Sequence, residues 1–317
     1  MAKYVKSDKN FIYEQNFKKS TIKSFAVLCM KIWYRILFLF IRKNSVSKKY
    51  KVSICGIFKD EEPYLKEWIE FNRIVGVDHF YLYNNNSSDG YMEILDDYIK
   101  KDVVTLVDWP YQQAQMEAYK DCIKKYSDET EWIGFIDIDE FIVPKTKDSI
   151  YEVLKGFKNR GSVIIYWKMF GTSGFEKRDI TRPVTEDFVS CWPKYCGTGK
   201  IFYNTRFGFN FDSERTKTMH HRMWTRWHGI ELPPVNLFDK ICIGSFSAVG
   251  KKDVSAQINH YCIKSVEEYS MKRRRGDVYY KVNPHGDEYF ERNEILCDSV
   301  DYSAHAWLDE LKKALYM

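Results

Sequence analysis

Between Trp132 and Pro144 the chain reads WIGFIDIDEFIVP. Ile133, Phe135, Ile136 and Ile138 form an almost unbroken apolar run, into which Asp137 and Asp139 are set, with Glu140 just behind. Read as a strand of period two, Asp137 and Asp139 point to one side, roughly 6.5–7 Å apart along the chain. Two carboxylates at the exit of a buried strand are costly there without a cation or hydrogen-bond donors. Oxygen ligands of this kind suit a hard divalent cation, Mn²⁺ or Mg²⁺. Such an ion bridges phosphate oxygens and neutralises the charge on a departing nucleoside diphosphate. The plainer reading is an Asp pair that caps the turn into FIVP, because Asp favours turns.

The elements that must position these carboxylates alternate. Strands are predicted at 52–58 (VSICGIF), 79–84 (HFYLYN) and 103–109 (VVTLVDW), and helices at 63–75, 91–100 and 112–126. Pro63 starts the first helix and Gly76 closes it. Strands separated by helices of 10–15 residues indicate βαβ units, hence an α/β fold with a Rossmann-like, mostly parallel sheet flanked by helices. Ligands of such sheets bind at the carboxyl ends of the strands, where the polar clusters 59–62, 84–89 and 137–140 all fall. Downstream come a helix at 149–158 and a strand at 162–171, then a turn-rich aromatic stretch over 172–250. Order returns with INHYCIKS and the basic helix EEYSMKRRRG, and helices are expected from Asp287 onward.

Bulk properties narrow the class. The 317 residues are 44% hydrophobic and 17% aromatic, enough for a substantial core. Eight cysteines show no CxxC pairing and read as reduced core thiols of a cytosolic protein. The net charge of +5 is uneven. Residues 1–51 carry 13 Lys or Arg against 2 acids, while the remainder carries 36 against 42. Such a local basic surplus argues against a nucleic-acid surface and for attachment to an anionic membrane. Within it, FAVLCMKIWYRILFLFI (25–41) carries Lys31 and Arg35, too much charge for a comfortable spanning helix. Ser24, Lys31, Arg35 and Arg42 make a narrow polar stripe on a helical wheel, interrupted by Phe38. Flanked by Lys18, Lys19, Lys23, Lys43, Lys48 and Lys49, the segment reads as an amphipathic helix lying in the cytoplasmic face of the membrane. The alternative is a helix packed on its own domain. No small-residue cleavage site follows it, so a signal peptide is not expected. The division is therefore a membrane-associating segment (1–50), a catalytic domain (51–290, with halves 51–145 and 146–290) and a helical tail (291–317).

FKDEEPYLKEWIEF, YLYNNNSSDG, QAQMEAYKDC, WIGFIDIDEF, WKMFGTSGF and NHYCIKSVEEYSMKRRRG occur in this order over about residues 52–276. Together they resemble glycosyltransferase family 92, as a bacterial-type member, within the family 2-like GT-A nucleotide-sugar transferases. The resemblance implies an inverting, metal-dependent hexosyltransferase that uses a UDP-sugar, galactose favoured, and a glycan or lipid-linked glycan acceptor. It puts Asp137 on the ribose and metal side, makes Asp139 the direct Mn²⁺ ligand and lets Glu140 support the site. His260 completes the metal shell, and neutral imidazole suits that ion. Glu61, Asn84 and Asp89 would hold the uridine, with Gln113 and Gln115 facing the same strand ends. Lys264, Lys272, Arg273, Arg274 and Arg275 could close over the diphosphate through charge-assisted bonds, two or more of them forming a solvated face instead.

An inverting transfer needs a carboxylate that deprotonates the acceptor hydroxyl. Glu176, Asp179, Glu186 and Asp187 are available, and Glu186–Asp187, in TED, resembles the xED-type base of related enzymes. Trp224 and Trp227, interleaved with His220, His221 and His228, could line an acceptor pocket by apolar stacking on sugar faces. Two other classes fit parts of the pattern. A sugar nucleotidyltransferase also uses paired carboxylates and a metal, but needs a Gly-rich basic loop after the first strand. CGIFKDEEP has one Gly and three acids there. A non-enzymatic carbohydrate-binding protein on the same fold would tolerate loss of Asp139.

Overall fold

A computed structural model describes residues 4–6, 11–14, 21–42, 47–243, 253–275 and 286–316. Lys18, Lys19, Lys43 and the side chain of Lys23 lie outside this description, as do 244–250 of the turn-rich stretch. From the first helix onward the main elements are α1 (Thr21–Phe40), β1 (Tyr50–Phe58), α2 (Glu62–Ile74), β2 (His79–Asn84), α3 (Tyr91–Lys100), β3 (Val104–Asp108) and α4 (Gln115–Tyr126). They continue with β4 (Thr130–Phe135), β5 (Glu140–Pro144), α5 (Ile150–Leu154), β6 (Ser162–Met169), α6 (Val184–Asp187) and β7 (Gly199–Asn204). Last come β8 (Ala256–His260), α7 (Val266–Arg275), α8 (Asp287–Ile295) and α9 (Leu308–Tyr316).

The central sheet runs β3-β2-β1-β4-β7-β6-β8-β5. Its first four strands are parallel. β7 is antiparallel to both β4 and β6, which leaves β6 parallel to β4, and β8 follows β6 in parallel. This is the α/β, mostly parallel sheet that the strand–helix alternation predicts. β1 shows why: every residue but Lys51 is buried, so both of its faces are covered, as parallel sheets require. Alternate residues enter opposite layers. Val52 and Ile54 join one core with Trp68 and Phe71 of α2, while Cys55 and Ile57 join another with Tyr119 and Cys122 of α4. α2 offers Leu65, Trp68, Ile69 and Asn72 at helical spacing to the sheet. It stops at Gly76, whose φ of +97° suits glycine and where a Cβ would meet Ser149 Cβ at 2.7 Å. None of the eight cysteines forms a disulfide, and five are buried.

Several boundaries differ from the sequence reading. The helix expected at 112–126 begins at Gln115, and the one at 149–158 becomes α5 plus a short 3₁₀ turn, Lys155–Phe157. The N-terminal helix packs on the domain through Leu37, Phe38 and Ile41. Of its polar stripe, Arg35 and Arg42 are exposed, Arg35 also bonding Asp239, and Lys31 is half-buried. Lys48 and Lys49, expected to face a membrane, are held by Ser127, Thr205 and Asp102. No described helix is long and apolar enough to cross a membrane.

Candidate functional site

The opening motif folds differently from the strand expected of it. Asp137 and Asp139 are not on a strand: β4 ends at Phe135, β5 starts at Glu140, and both aspartates lie in the turn between. Period two therefore does not apply to them. The turn is closed by Glu140 N–H donating to Asp137 O at 3.0 Å. The fully buried indole of Trp68 holds it from beneath, its Nε1–H lying 3.0 Å from Asp137 O and 2.8 Å from Glu140 O. Tyr261 N–H takes Asp139 O at 2.9 Å, so the backbone of the turn is committed on several sides.

Its three carboxylates then part company. Asp137 Oδ1 accepts from Gln115 Nε2 at 3.0 Å and Tyr119 Oη at 3.1 Å, and Oδ2 accepts from Lys200 Nζ at 2.6 Å. Asp139 Oδ2 accepts from Lys272 Nζ at 2.5 Å. Burial alone would raise the Asp139 carboxyl, but Lys272 and His260 more than offset it and hold it well below the usual range. Glu140 is fully buried. Burial, with Asp137 and Asp139 beside it, pushes its carboxyl well up despite Lys200 at 3.4 Å.

His260 arrives from the last residue of β8, in register with Glu140 on one side and Met169 on the other. Its Nε2 lies 3.6 Å from Asp139 Oδ1 and 3.8 Å from Glu140 Oε1. One ligand atom from each of Asp139, Glu140 and His260 can be chosen with all three within 4.8 Å of one another. Two carboxylates and an imidazole form a donor set for Mn²⁺. Glu140 Oε1 and His260 Nδ1 are buried without a hydrogen-bond partner among the described residues, so this donor set is not internally satisfied. Asp137, by contrast, has its donors already.

The other predicted residues divide. Glu61 is buried at the start of α2 and ion-paired to Arg275, which also donates to Asp60 O at 2.6 Å. Lys264 is buried over the Tyr64 ring at 4.0 Å, and burial lowers its ammonium pKa. Lys272 and Arg275 thus face the site. Arg273 pairs with Asp287 and Arg274 lies exposed on its own helix, giving the solvated face. Asn84 ties the loop after β2, accepting from Ser87 N–H at 2.9 Å and donating to Tyr91 and Asp108. Asp89 Oδ2 accepts from Glu62 N–H at 2.8 Å, and its Oδ1 has no described partner.

Of the carboxylates expected to serve the acceptor, Glu186 pairs with Lys312 at 2.7 Å and Asp187 with Arg182 at 2.8 Å. Burial raises the Asp187 carboxyl, partly offset by Arg182, and its Oδ2 lacks a described partner. Glu176 and Asp179 are exposed. Trp224 is not brought to the carboxylate turn: it meets Tyr34 of α1 edge-on at 6.0 Å and Arg215 at 4.1 Å. The His220 and His221 rings lie 3.8 Å apart at a 41° tilt.

Three residues at the site escaped the sequence reading. Lys200, wholly buried, sits two positions from Phe202, which pairs with Gly134; the register brings it beside the turn. A single lysine inside the apolar GKIFYN was the available signal. Trp167 lies between His260, at 4.8 Å, and His221, at 4.9 Å. Trp68 carried no signal beyond its place on an amphipathic face.

The family model for glycosyltransferase family 92 matches residues 48–223, more than half of the chain. A family 92 protein of Oryza sativa is 30% identical over 135 residues, 41% of this chain and 23% of that protein. A β-1,4-galactosyltransferase of Caenorhabditis elegans is 30% identical over 122 residues, covering 34% and 29%. A galactan β-1,4-galactosyltransferase of Arabidopsis thaliana is 29% identical over 125 residues, covering 35% and 25%. The chain thus spans about a quarter of the length of these relatives. They are plant and animal proteins, which lends no support to a bacterial-type placing. Among solved structures, GalNAc-T7 with UDP, GalNAc and Mn²⁺ covers 95% of this chain and 60% of its own at 11% identity, with a TM-score of 0.38, too slight to argue from. By its sequence, the chain belongs to glycosyltransferase family 92.

Proposed function

We propose that the protein is a metal-dependent, inverting glycosyltransferase that moves a hexose, galactose favoured, from a UDP-sugar to a glycan or lipid-linked glycan. The observation that carries this reading is the convergence of Asp139, Glu140 and His260 at the carboxyl ends of the parallel strands. Family membership supports the reaction class, and the two galactosyltransferases among its relatives favour the sugar. Asp139, Glu140 and His260 would hold Mn²⁺, which when bound supplies positive charge to the leaving diphosphate.

The remaining roles fall to this chain's own groups. Lys272 and Arg275 stand ready to bond phosphate oxygens, their present partners Asp139 and Glu61 lying at the same site. Glu61, Asn84, Asp89 and Gln115 line the side where the nucleoside would lie. Asp137, held by Gln115, Tyr119 and Lys200, keeps that side in place. Of the two candidate bases, Asp187 has the properties a base needs: a raised pKa and an oxygen without a described partner. Glu186 is occupied by Lys312. The nucleotidyltransferase reading loses ground, because the loop after β1 carries Asp60, Glu61 and Glu62, which would repel a triphosphate.

Calorimetric titration tests the proposal. UDP should bind with an affinity that rises at least tenfold when Mn²⁺ is present, and Mn²⁺ should bind more tightly with UDP. UDP binding that ignores the metal would overturn the metal-dependent reading.

A further inference from the structure

The helix α1 leaves one apolar face uncovered. It is docked through Leu37, Phe38 and Ile41, while Phe25 (68% exposed), Leu28, Trp33, Ile36, Leu39 (81%) and Phe40 point to solvent. The docking is specific: the Arg160 guanidinium lies over the Phe38 ring at 4.3 Å, and Arg35 and Arg160 both bond Asp239. Tyr34 meets Trp224 edge-on. An exposed apolar stripe on an ordered helix marks an interaction surface.

Charge selects the occupant. The helix contains no Asp or Glu, and residues 1–51 carry 13 Lys or Arg against 2 acids. Two copies meeting by this face in a symmetric dimer would bring like charges together. An anionic bilayer surface instead attracts them, at about 1 kcal/mol per Lys or Arg near the headgroups. Lys31 and Arg35 rule out comfortable spanning, but an interfacial helix needs only one face in the acyl boundary.

We propose that α1 rests its outward face, from Phe25 to Phe40, in the headgroup layer of an anionic bilayer. The anchoring contacts at Arg160 and Tyr34–Trp224 lie at the amino end of β6, whereas Met169, at its carboxyl end, is beside His260. The eight residues of β6 separate the two by about 23 Å. The membrane-docking end and the carboxylate turn thus belong to opposite ends of the sheet.

Flotation of the full chain tests the surface independently of any catalytic reading. The protein should float with vesicles of phosphatidylcholine containing phosphatidylglycerol and not with phosphatidylcholine alone. Leu28→Glu with Trp33→Glu, both at exposed positions, should lower the partition coefficient about tenfold or more with an unchanged melting temperature. Undiminished flotation of the double variant would overturn the proposal, as would a wild type that binds neither vesicle. A dimer by light scattering that the double variant turns into monomer would overturn it in favour of a second copy. An environment-sensitive dye on the exposed Cys29 should shift to the blue on anionic vesicles. The same dye on Met92→Cys in a Cys29→Ser background, at the start of α3, should not; a shift there would overturn the opposed arrangement.

Discussion

Two acidic strings, DIDE at 137–140 and TED at 185–187, each lie beside apolar residues and each meet cations, yet they are built differently. DIDE is a turn between two buried strands, gripped from below by Trp68, and its cations come from far along the chain: Lys200, wholly buried, and Lys272. TED lies in the one-turn helix α6, whose first N–H groups are taken by Glu67 at 2.7 and 3.0 Å. Its cations, Arg182 and Lys312, are half-exposed and meet solvent. In DIDE the Lys200–Glu140 pair is wholly buried, Asp137 and Lys272 reach solvent in part, and Asp139 and Glu140 share an imidazole. In TED only the cations reach solvent, while the Asp187 carboxylate is buried and keeps one oxygen without a described partner. Under the proposed function, acidic strings so alike in sequence would do different work: the first would hold a cation, the second would take a proton.

The largest expected effect separates these two jobs. Asp139→Ala should abolish Mn²⁺-coupled UDP binding and lower transfer by about 10³-fold or more, on the scale of losing a transition-state electrostatic partner. Asp187→Asn should lower kcat by about 10²–10⁴-fold, the worth of a general base, while leaving UDP–Mn²⁺ affinity unchanged. If Asp187→Asn also abolished nucleotide binding, the distinction would collapse. Next comes the buried lysine. Lys200→Met leaves the buried Glu140 carboxyl without its cation while Asp137 keeps Gln115 and Tyr119, and urea denaturation should show a loss of about 3–5 kcal/mol. A loss below about 1 kcal/mol would mean that the turn is solvated.

Trp68→Phe keeps a six-membered aromatic ring but removes the N–H from two carbonyls and leaves a small cavity at a fully buried position. It should cost about 1–3 kcal/mol and weaken Mn²⁺ binding, measured by the same denaturation and titration. The smallest effect is a slope. Burial, helped by the Lys200 ammonium, pushes His221 down to about 3, so the folded protein refuses a proton that the unfolded chain accepts below about 6.5. Stability is therefore lost as pH falls through this window, by up to about 1.4 kcal/mol per pH unit for this group. His221→Gln should flatten the acid limb of melting temperature against pH; an unaltered limb would show that burial beside DIDE is not what sets it.

Local pattern was enough for the first half of the chain. Buried apolar runs such as VSICGIF, spaced by helices with apolar residues three and four apart, have few ways to bury themselves, so the parallel sheet and its polar carboxyl ends were legible. The family motifs also pointed to Asp139 and His260 together, and their side chains lie 3.6 Å apart. The turn at 137–140 was not legible. Four residues with three acids and two isoleucines near them look like a continuing strand until Trp68, 69 positions away from Asp137, supplies the N–H that bends the backbone. Lys200 was invisible for the same reason: its meaning depends on the register of β7 against β4, a pairing across 68 residues between Gly134 and Phe202. Trp224 shows the converse, since aromatic chemistry suited to a sugar was used on Tyr34 and Arg215. Residue types and spacing by themselves determined the fold class, the family and the presence of a carboxylate site. Which carboxylates converge, which are neutralised by lysine and which face of α1 is left bare were decided only by tertiary structure, because each depends on partners that chain distance hides and burial makes strong.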